Sequence, residues 1–440
     1  MTMAKQKTFN TLLVTLLSAL SCMACEALDS LSLARRAQEL LMYEQNHGFP
    51  FAQVHALHSD TCTQSTDLVV ERGQGWVWAP LQRLGVGRTR DDLLVRMSLL
   101  EPGTPVALGD LPKMQRLFAR SGWFSEVGEP KLYRSPDRNS LVPAIPLHEA
   151  LNNQAELWFA YQKKWTGHLL LDLNNIAGTG RSLHVSGEKL DQERSANLSY
   201  SEPYPLGLPL VLQGEVSMDE LDSLDAIYKA SIGATWQLDY DWLLGVHAGE
   251  ERAKATDTSV DSKWAECSLT EDLRDQQILT HRGWLWNTSL RGGTRRIRDS
   301  EGGDTTWPLA QVSANWGLWL PLVSHLGWAG EASGAALWPV QSHFLNAELF
   351  ELGGSKLAGY WPASIRTRAY TYARSSLLWN FTHSQASVFA EGAHVPHNYA
   401  CYGLGWAQER SGTGIDLRLA WTPESAFLEA LVSLTVHTRF

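Results

Sequence analysis

From residue 152 to residue 440 apolar and polar residues alternate with a period of two. Over Leu309–Leu320, Ala310, Val312, Ala314, Trp316, Leu318 and Leu320 share one face, and Gln311, Ser313, Asn315 and Gly317 share the other. Ile415, Leu417, Leu419 and Trp421 likewise oppose Asp416 and Arg418, and Leu210, Leu212, Val216 and Met218 oppose Gln213, Glu215, Ser217 and Asp219. Successive side chains of a strand point to opposite faces, so this alternation predicts antiparallel strands with one apolar face. Sixteen such segments begin near Gln154, Trp165, Arg181, Ser195, Leu208, Leu224, Trp242, Lys263, Arg282, Thr305, Ser324, Arg366, Ser384, Ala400, Gly412 and Leu428. The last, Leu428 to Phe440, carries Val432, Leu434, Val436, Thr438 and Phe440 on one face. An apolar-alternating final strand ending on an aromatic is the pattern of an outer-membrane insertion signal.

Residues 30–150 have a different texture. Leu33–Asn46 reads as a helix ended by Gly48, and Asp67–Arg72 as a strand. Trp76–Leu84 is strand-like. Thr89–Leu99 reads as a helix with Thr89 as N-cap and Asp91 and Asp92 in its first turn, where acidic groups favour the helix dipole. Leu108–Ser121 is a further helix closed by Gly122, and Ser125–Arg134 and Ser140–Glu149 are strands. The order from residue 76 is β-α-α-β-β. Pro143 and Pro146 fall in the last strand, which predicts that it is short or at an edge.

Lys5 and Lys7, the apolar run Leu12–Leu20 and the small residues through Ala24 and Ala27 predict a secretory signal peptide over 1–27. The alternative is a lipidation site at Cys22 or Cys25, but neither has the expected Leu three residues earlier. An exported chain with an even count of strands of roughly ten residues fits a 16-stranded transmembrane antiparallel β-barrel. Closure is required because lipid offers no hydrogen-bond partners to a sheet edge. A soluble sandwich or propeller is the alternative for the same alternation. Trp165, Trp236, Trp242, Trp284, Trp307 and Trp421 lie near strand ends, where a membrane barrel places its aromatic girdles, and favour the barrel.

Composition adds exclusions. The 440 residues include 19 Trp, carry a net charge of −10, and are 44% hydrophobic. The apolar fraction excludes disorder, and the acidic balance argues against nucleic acid as a partner. Five scattered cysteines make no disulfide framework or zinc pattern; Cys267 and Cys401 are expected to be packed or lumenal. No HExxH, GxxxxGK[ST] or GxSxG occurs, so no enzyme and no cofactor are expected. Gly178–Arg181 reads as a turn, and His394 and His397 as loop residues.

Residues 344–395 resemble the signature region of the Omp85 superfamily, the group of BamA- and TamA-like proteins. Leu352, Gly353 and Gly354 match its LGG segment. Leu357, Gly359 and Tyr360 match the outer positions of its (V/I)RG(F/Y) loop motif, with Ala358 at the central Arg position. Phe389, Glu391 and Gly392 match its strand-13 FxDxG motif, with Glu for Asp. The resemblance extends to residues 172–183, 200–210 and 400–423, and upstream to POTRA-like segments over 76–150 and, shortened, over 30–75. It implies a periplasmic N-terminal region and a barrel over 152–440 in the bacterial outer membrane, with the motif loop between strands 11 and 12.

In the family the loop Arg pairs with the acid of FxDxG. With Ala358 in its place, Glu391 is expected to be paired by Arg366, Arg368 or Lys356, or to be hydrated. The implied role is assembly, insertion or translocation of outer-membrane or secreted polypeptides. A POTRA edge would recruit cargo by strand addition, and a weak seam would open between Gln154–Tyr161, read as short, and Leu428–Phe440. Another cargo, such as lipid or a secreted partner, or a passive channel, are the alternatives. Outer-membrane lipid and periplasmic or lipoprotein accessory subunits are the further partners implied.

Overall fold

The computed structural model describes residues 32–58, 66–136, 139–150, 153–162, 164–190, 193–220, 226–275, 279–299, 303–339, 344–345, 348–354, 356–361, 364–410 and 413–438. The leader, Cys62 and Phe440 lie outside them. The chain divides into two units. One comprises Met1–Gln82, Leu100–Pro112 and Pro130–Ala144; the other comprises Arg83–Leu99, Lys113–Glu129 and Ile145–Phe440.

The first unit begins with helix α1 (32–45) and a hairpin of β1 (Gln53–His58) and β2 (Thr66–Glu71), in register from Gln53↔Glu71 to His58↔Thr66. β3 (Val77–Trp78) runs parallel to the start of β7 (Ser140–Glu149), and β6 (Lys131–Arg134) pairs antiparallel with it. Trp76, Trp78, Val106, Leu141 and Ala144 form the buried centre. The expected strand Trp76–Leu84 is broken: Ala79, Pro80 and Leu81 separate β3 from β4 (Gln82–Leu84).

In the second unit, α2 (Asp91–Met97), the later turns of α3 (Asp110–Arg120) and β5 (Phe124–Val127) bury Leu93, Leu94, Met97, Met114, Phe118 and Phe124 with Ile145 and Leu147. Phe118 and Phe124 meet edge to face at 5.7 Å. The expected strand Ser125–Arg134 is therefore two strands, parted at Gly128–Pro130. Two further expectations fail. Arg90, not Thr89, is the N-cap of α2, because the Thr89 hydroxyl accepts a bond from Asn175 Nδ2 (2.7 Å) and its amide donates to Glu149. β7 is neither short nor an edge; it has ten residues and pairs with several strands. Pro146 is accommodated because its missing N–H falls between the β6 rungs, which end at Ala144, and the β5 rungs, which start at Leu147.

The rest of this unit is one antiparallel sheet of sixteen strands. They are β8 (Gln154–Gln162), β9 (Lys164–Ile176), β10 (Arg181–Leu190), β11 (Glu193–Pro203), β12 (Leu210–Glu220), β13 (Ala226–Gln237), β14 (Trp242–Ala255), β15 (Thr258–Asp272), β16 (Gly283–Asp299), β17 (Asp304–Val323), β18 (Leu326–Trp338), β21 (Ala369–Asn380), β22 (Ser384–His394), β23 (Asn398–Arg410), β24 (Thr413–Trp421) and β25 (Leu431–Thr438). Each pairs with the next along the chain, and the order interrupts the sequence only where β19 (Phe350–Leu352) and β20 (Ile365–Thr367) form a separate small hairpin. The predicted loop between the eleventh and twelfth strands is thus the segment 339–368. β8 is not especially short, since β24 matches it and β25 is shorter; β25 starts later than expected because Phe427–Glu429 form a 3-10 turn.

The faces of this sheet decide between the two β readings. In a soluble sandwich the apolar face of each strand is buried against a second sheet. Here the apolar face is the exposed one: Ile232 on β13 is 68% exposed, Leu290 on β16 61% and Leu404 on β23 46%, while the residues on either side of each are buried or half-buried. The polar face is bonded to itself: Ser289 Oγ meets Ser313 Oγ at 2.8 Å, Asn287 donates to Thr270 Oγ1 at 2.6 Å, and Arg291 pairs with Glu266 at 2.8 Å. An apolar exterior around a polar interior is the arrangement lipid requires of a sheet. Among the described residues no helix is long and apolar enough to cross a membrane.

Candidate functional site

The segment between β18 and β21 turns back over the polar face and seats its tip on β21–β24. Leu352 and Ile365, paired across β19–β20, cluster with Leu357, Tyr372, Ala393, Val395 and Cys401. The tip is a compact double turn: Gly353 N–H donates to Lys356 O (2.8 Å), Gly354 N–H to Tyr360 O (2.9 Å) and Tyr360 N–H to Leu357 O (3.0 Å). Gly353 has φ +110°, and a Cβ there would overlap the Trp361 carbonyl. Gly359 is needed for a different reason: a Cβ would lie 2.7 Å from Cys401 Cβ, so only glycine lets the loop backbone approach β23. Gly354 also has positive φ, whereas an added Cβ at Gly392 would meet nothing closer than Tyr399 O at 3.8 Å.

Beneath the tip lies Glu391, whose side chain is fully buried. Its Oε2 accepts from the Ala358 amide at 2.6 Å and from the Cys401 thiol at 3.1 Å. Its Oε1 accepts from the Tyr372 hydroxyl at 3.0 Å and faces Arg374 Nη1 at 3.5 Å. A buried carboxylate must be paired and hydrogen-bonded, and these groups do both. Ala358 packs with Phe389 and Ala420, and the Arg374 guanidinium lies 4.4 Å over the Phe389 ring. Tyr360 donates to Ala400 O and meets Tyr399 edge to face.

The expected partners of Glu391 are therefore corrected. Arg366 pairs with Glu351 at 3.1 Å, Lys356 donates to Tyr370 Oη at 2.6 Å, and Arg368 sits over Phe344. Nor does Glu391 face solvent, since its side chain is fully buried. The cation is Arg374, directly across the β21–β22 ladder from it. The ladder closes at Asn380↔Gln385, so counting back from that turn would have placed Arg374 opposite Glu391. A further bond to Glu391 comes from the backbone of Ala358 itself, which no side-chain pattern reveals.

Val432 and Leu434 on β25 are exposed, as are Ser433 and Thr435 between and after them, and Val436 and Thr438 continue its ladder opposite Ile415 and Thr413. Trp284 and Trp307 are exposed near strand ends, but Trp421 is buried, stacked on Phe427 and donating to its carbonyl. Cys401 is packed as expected; Cys267 is exposed, contrary to expectation. His394 bonds Asn398, and among the described residues no group of metal-binding side chains forms.

A second cluster was missed by sequence reasoning. Arg120, at the end of α3, is buried and donates to Tyr240 O (2.7 Å) and Asp241 Oδ1 (3.2 Å) in the β13–β14 turn, with Asp272 at 3.8 Å. Burial pushes its guanidinium pKa down, opposed by Asp272 and Asp241. Arg90 N–H donates to Gly178 O in the β9–β10 turn. Close by, Glu149 accepts from the Thr89 amide at 2.5 Å and faces Arg88 at 3.5 Å and Arg83 at 3.8 Å. Burial acts to raise its pKa, but the bonds from Thr89 and Arg88 outweigh it and hold the carboxyl below the usual range.

No family model matches the chain, and no curated protein matches it. Solved structures do. BamA from Haemophilus ducreyi lacking POTRA domains 1–3 aligns with TM-score 0.50 at 14% identity, over 92% of this chain and 93% of that one. CdiB from Escherichia coli aligns with TM-score 0.56 at 13% identity, over 93% and 84%. CdiB from Acinetobacter baumannii gives 0.54 at 12% identity, over 90% and 79%. BamA and CdiB are both members of the Omp85 superfamily. The chain has the fold of the Omp85-superfamily barrels.

Proposed function

We propose that this protein is an Omp85-type barrel of the bacterial outer membrane that assists insertion or translocation of polypeptides. The observation that carries the reading is the loop site. The motif loop lies on the polar face between the eleventh and twelfth strands, docked on Glu391 of the thirteenth through Ala358. A simple pore has no need of a buried carboxylate satisfied from a loop backbone. Ala358 in place of the motif Arg favours a passive channel; against that, Glu391 still receives a bond from the loop, from the Ala358 amide, and has a cation beside it, Arg374 of β21.

In this reading residues 76–150 are a POTRA-like periplasmic module and 30–75 a partial one. Their strand edges offer unpaired backbone groups to an extended cargo. The outward apolar face contacts outer-membrane lipid. Among the described residues no rung joins β8 to β25, the two ends of the sheet order, and their outward residues are where a cargo strand would meet the barrel. Binding and membrane mechanics carry the function, without enzymatic chemistry or a cofactor; accessory subunits would dock on the periplasmic side.

The test is reconstitution. Liposomes carrying the protein should speed the folding of an urea-unfolded outer-membrane barrel over protein-free liposomes. Ion conductance without acceleration would select a passive channel instead.

A further inference from the structure

The same loop makes a contact far from the Glu391 site. Before reaching β19 it passes over β13–β16, which lie on the other side of β17 and β18 in the sheet order. There Arg295 of β16 is wholly buried and grips Glu348 of the loop with two bonds, Nε to Oε1 at 2.6 Å and Nη2 to Oε2 at 2.5 Å. The Leu345 amide donates to the same carboxylate at 2.7 Å, which rigidifies this stretch of loop around the acid. Phe344 lies 4.7 Å beneath the Arg295 guanidinium, and Leu345 packs on Ile227, Ala253, Val260 and Ile297 from four successive strands. A forked, desolvated Arg–carboxylate contact with an aromatic floor is a specific fixture, since a buried charge without its partner is strongly unfavourable.

We propose that Arg295 and Glu348 form a second anchor of the lumenal loop, independent of the Glu391 site, so that the loop is a strut tied to two separate walls. This explains how the chain dispenses with the motif Arg: to Glu391 the loop offers only a backbone amide, and a loop-to-wall ion pair sits at Arg295 instead. Arg295 and Glu348 are positioning residues. They hold the loop across the cargo path, and that last consequence rests on the function proposed above.

The test uses the full chain in phosphatidylethanolamine/phosphatidylglycerol vesicles and reads two quantities: trypsin cleavage of the loop after Lys356 and Arg366, and single-channel conductance. Arg295→Glu or Glu348→Arg should raise the cleavage rate at least about tenfold and open a larger conductance. The double charge swap should return both to within about threefold of wild type, and Arg295→Lys, which keeps the charge but loses the fork, should fall between. If Arg295→Glu prevents folding, Glu348→Gln changes only the loop side and should still speed cleavage. Wild-type cleavage in Glu348→Gln, or a swap no better than its single variants in folded barrels, would overturn the proposal. Loop cleavage that follows this pattern in a protein that fails to accelerate barrel folding would support the strut and count against the proposed function alone.

Discussion

At the scale of single residues, Glu391 is the point on which the loop turns. Removing it leaves the Ala358 amide, the Tyr372 hydroxyl and the Arg374 guanidinium buried around a void. Breaking a buried pair from one side costs about 3–5 kcal/mol. Glu391→Ala should therefore lower the heat-modifiability midpoint and expose the loop to protease, and Arg374→Met/Glu391→Gln together should be milder than Glu391→Ala alone. Gly359→Val should act like Glu391→Ala, because the clash with Cys401 lifts the same tip off β23. Glu149 predicts a pH dependence. Its folded pKa lies below the ordinary value, so its contribution is full above about pH 4.3 and is lost as the pH falls through the lower, folded pKa. Wild type should be more stable than Glu149→Gln at neutral pH, and the difference should vanish in acid; thermal melts of both across that range measure it. The loop residues and Glu391 were legible in the sequence, whereas Tyr372, Arg374 and Cys401 as partners of Glu391 were not. Nearness in sequence favours Arg366, Arg368 and Lys356 as the cation, while the ladder brings Arg374 from the neighbouring strand.

At the scale of elements, alternation located the strands well. Segments expected near Gln154, Arg181, Trp242 and Ser384 start at those residues. Errors gathered where tertiary contacts override local signals. Thr89 has the chemistry of a helix cap, but Asn175 and Glu149 claim its polar groups. Pro143 and Pro146 suggest an edge, but β7 changes partners between Ala144 and Leu147 and needs no donor at Pro146. The period of two says which residues share a face without saying whether that face meets lipid, and exposure supplies the answer. Ile232→Lys, on the apolar face of β13, should therefore cost about 2–4 kcal/mol near the bilayer midplane. A urea titration of folding in vesicles measures this. A water-facing position would show almost no change.

At the scale of the whole molecule, the sixteen strands run in order from β8 to β25 with no rung between those two among the described residues, and the proposed function puts the entry of polypeptide there. Much of this is legible in the sequence: the strand count and the place of the loop follow from period and motif. The ties of Arg120 and Arg295 were not, because residues far apart in sequence meet only once the sheet is formed. The most direct measurement is photo-cross-linking in reconstituted vesicles while an unfolded barrel substrate is being inserted. Leu157 on β8, Leu434 on β25 and Leu290 on β16 are matched in exposure at 61%, 62% and 61%, so a photoreactive residue at each samples the same outward environment at different places in the sheet. Strong cross-links to cargo from positions 157 and 434, and none from 290, are predicted; cross-links equal at all three positions, or absent from the two end strands while the substrate still inserts, would contradict entry at those strands.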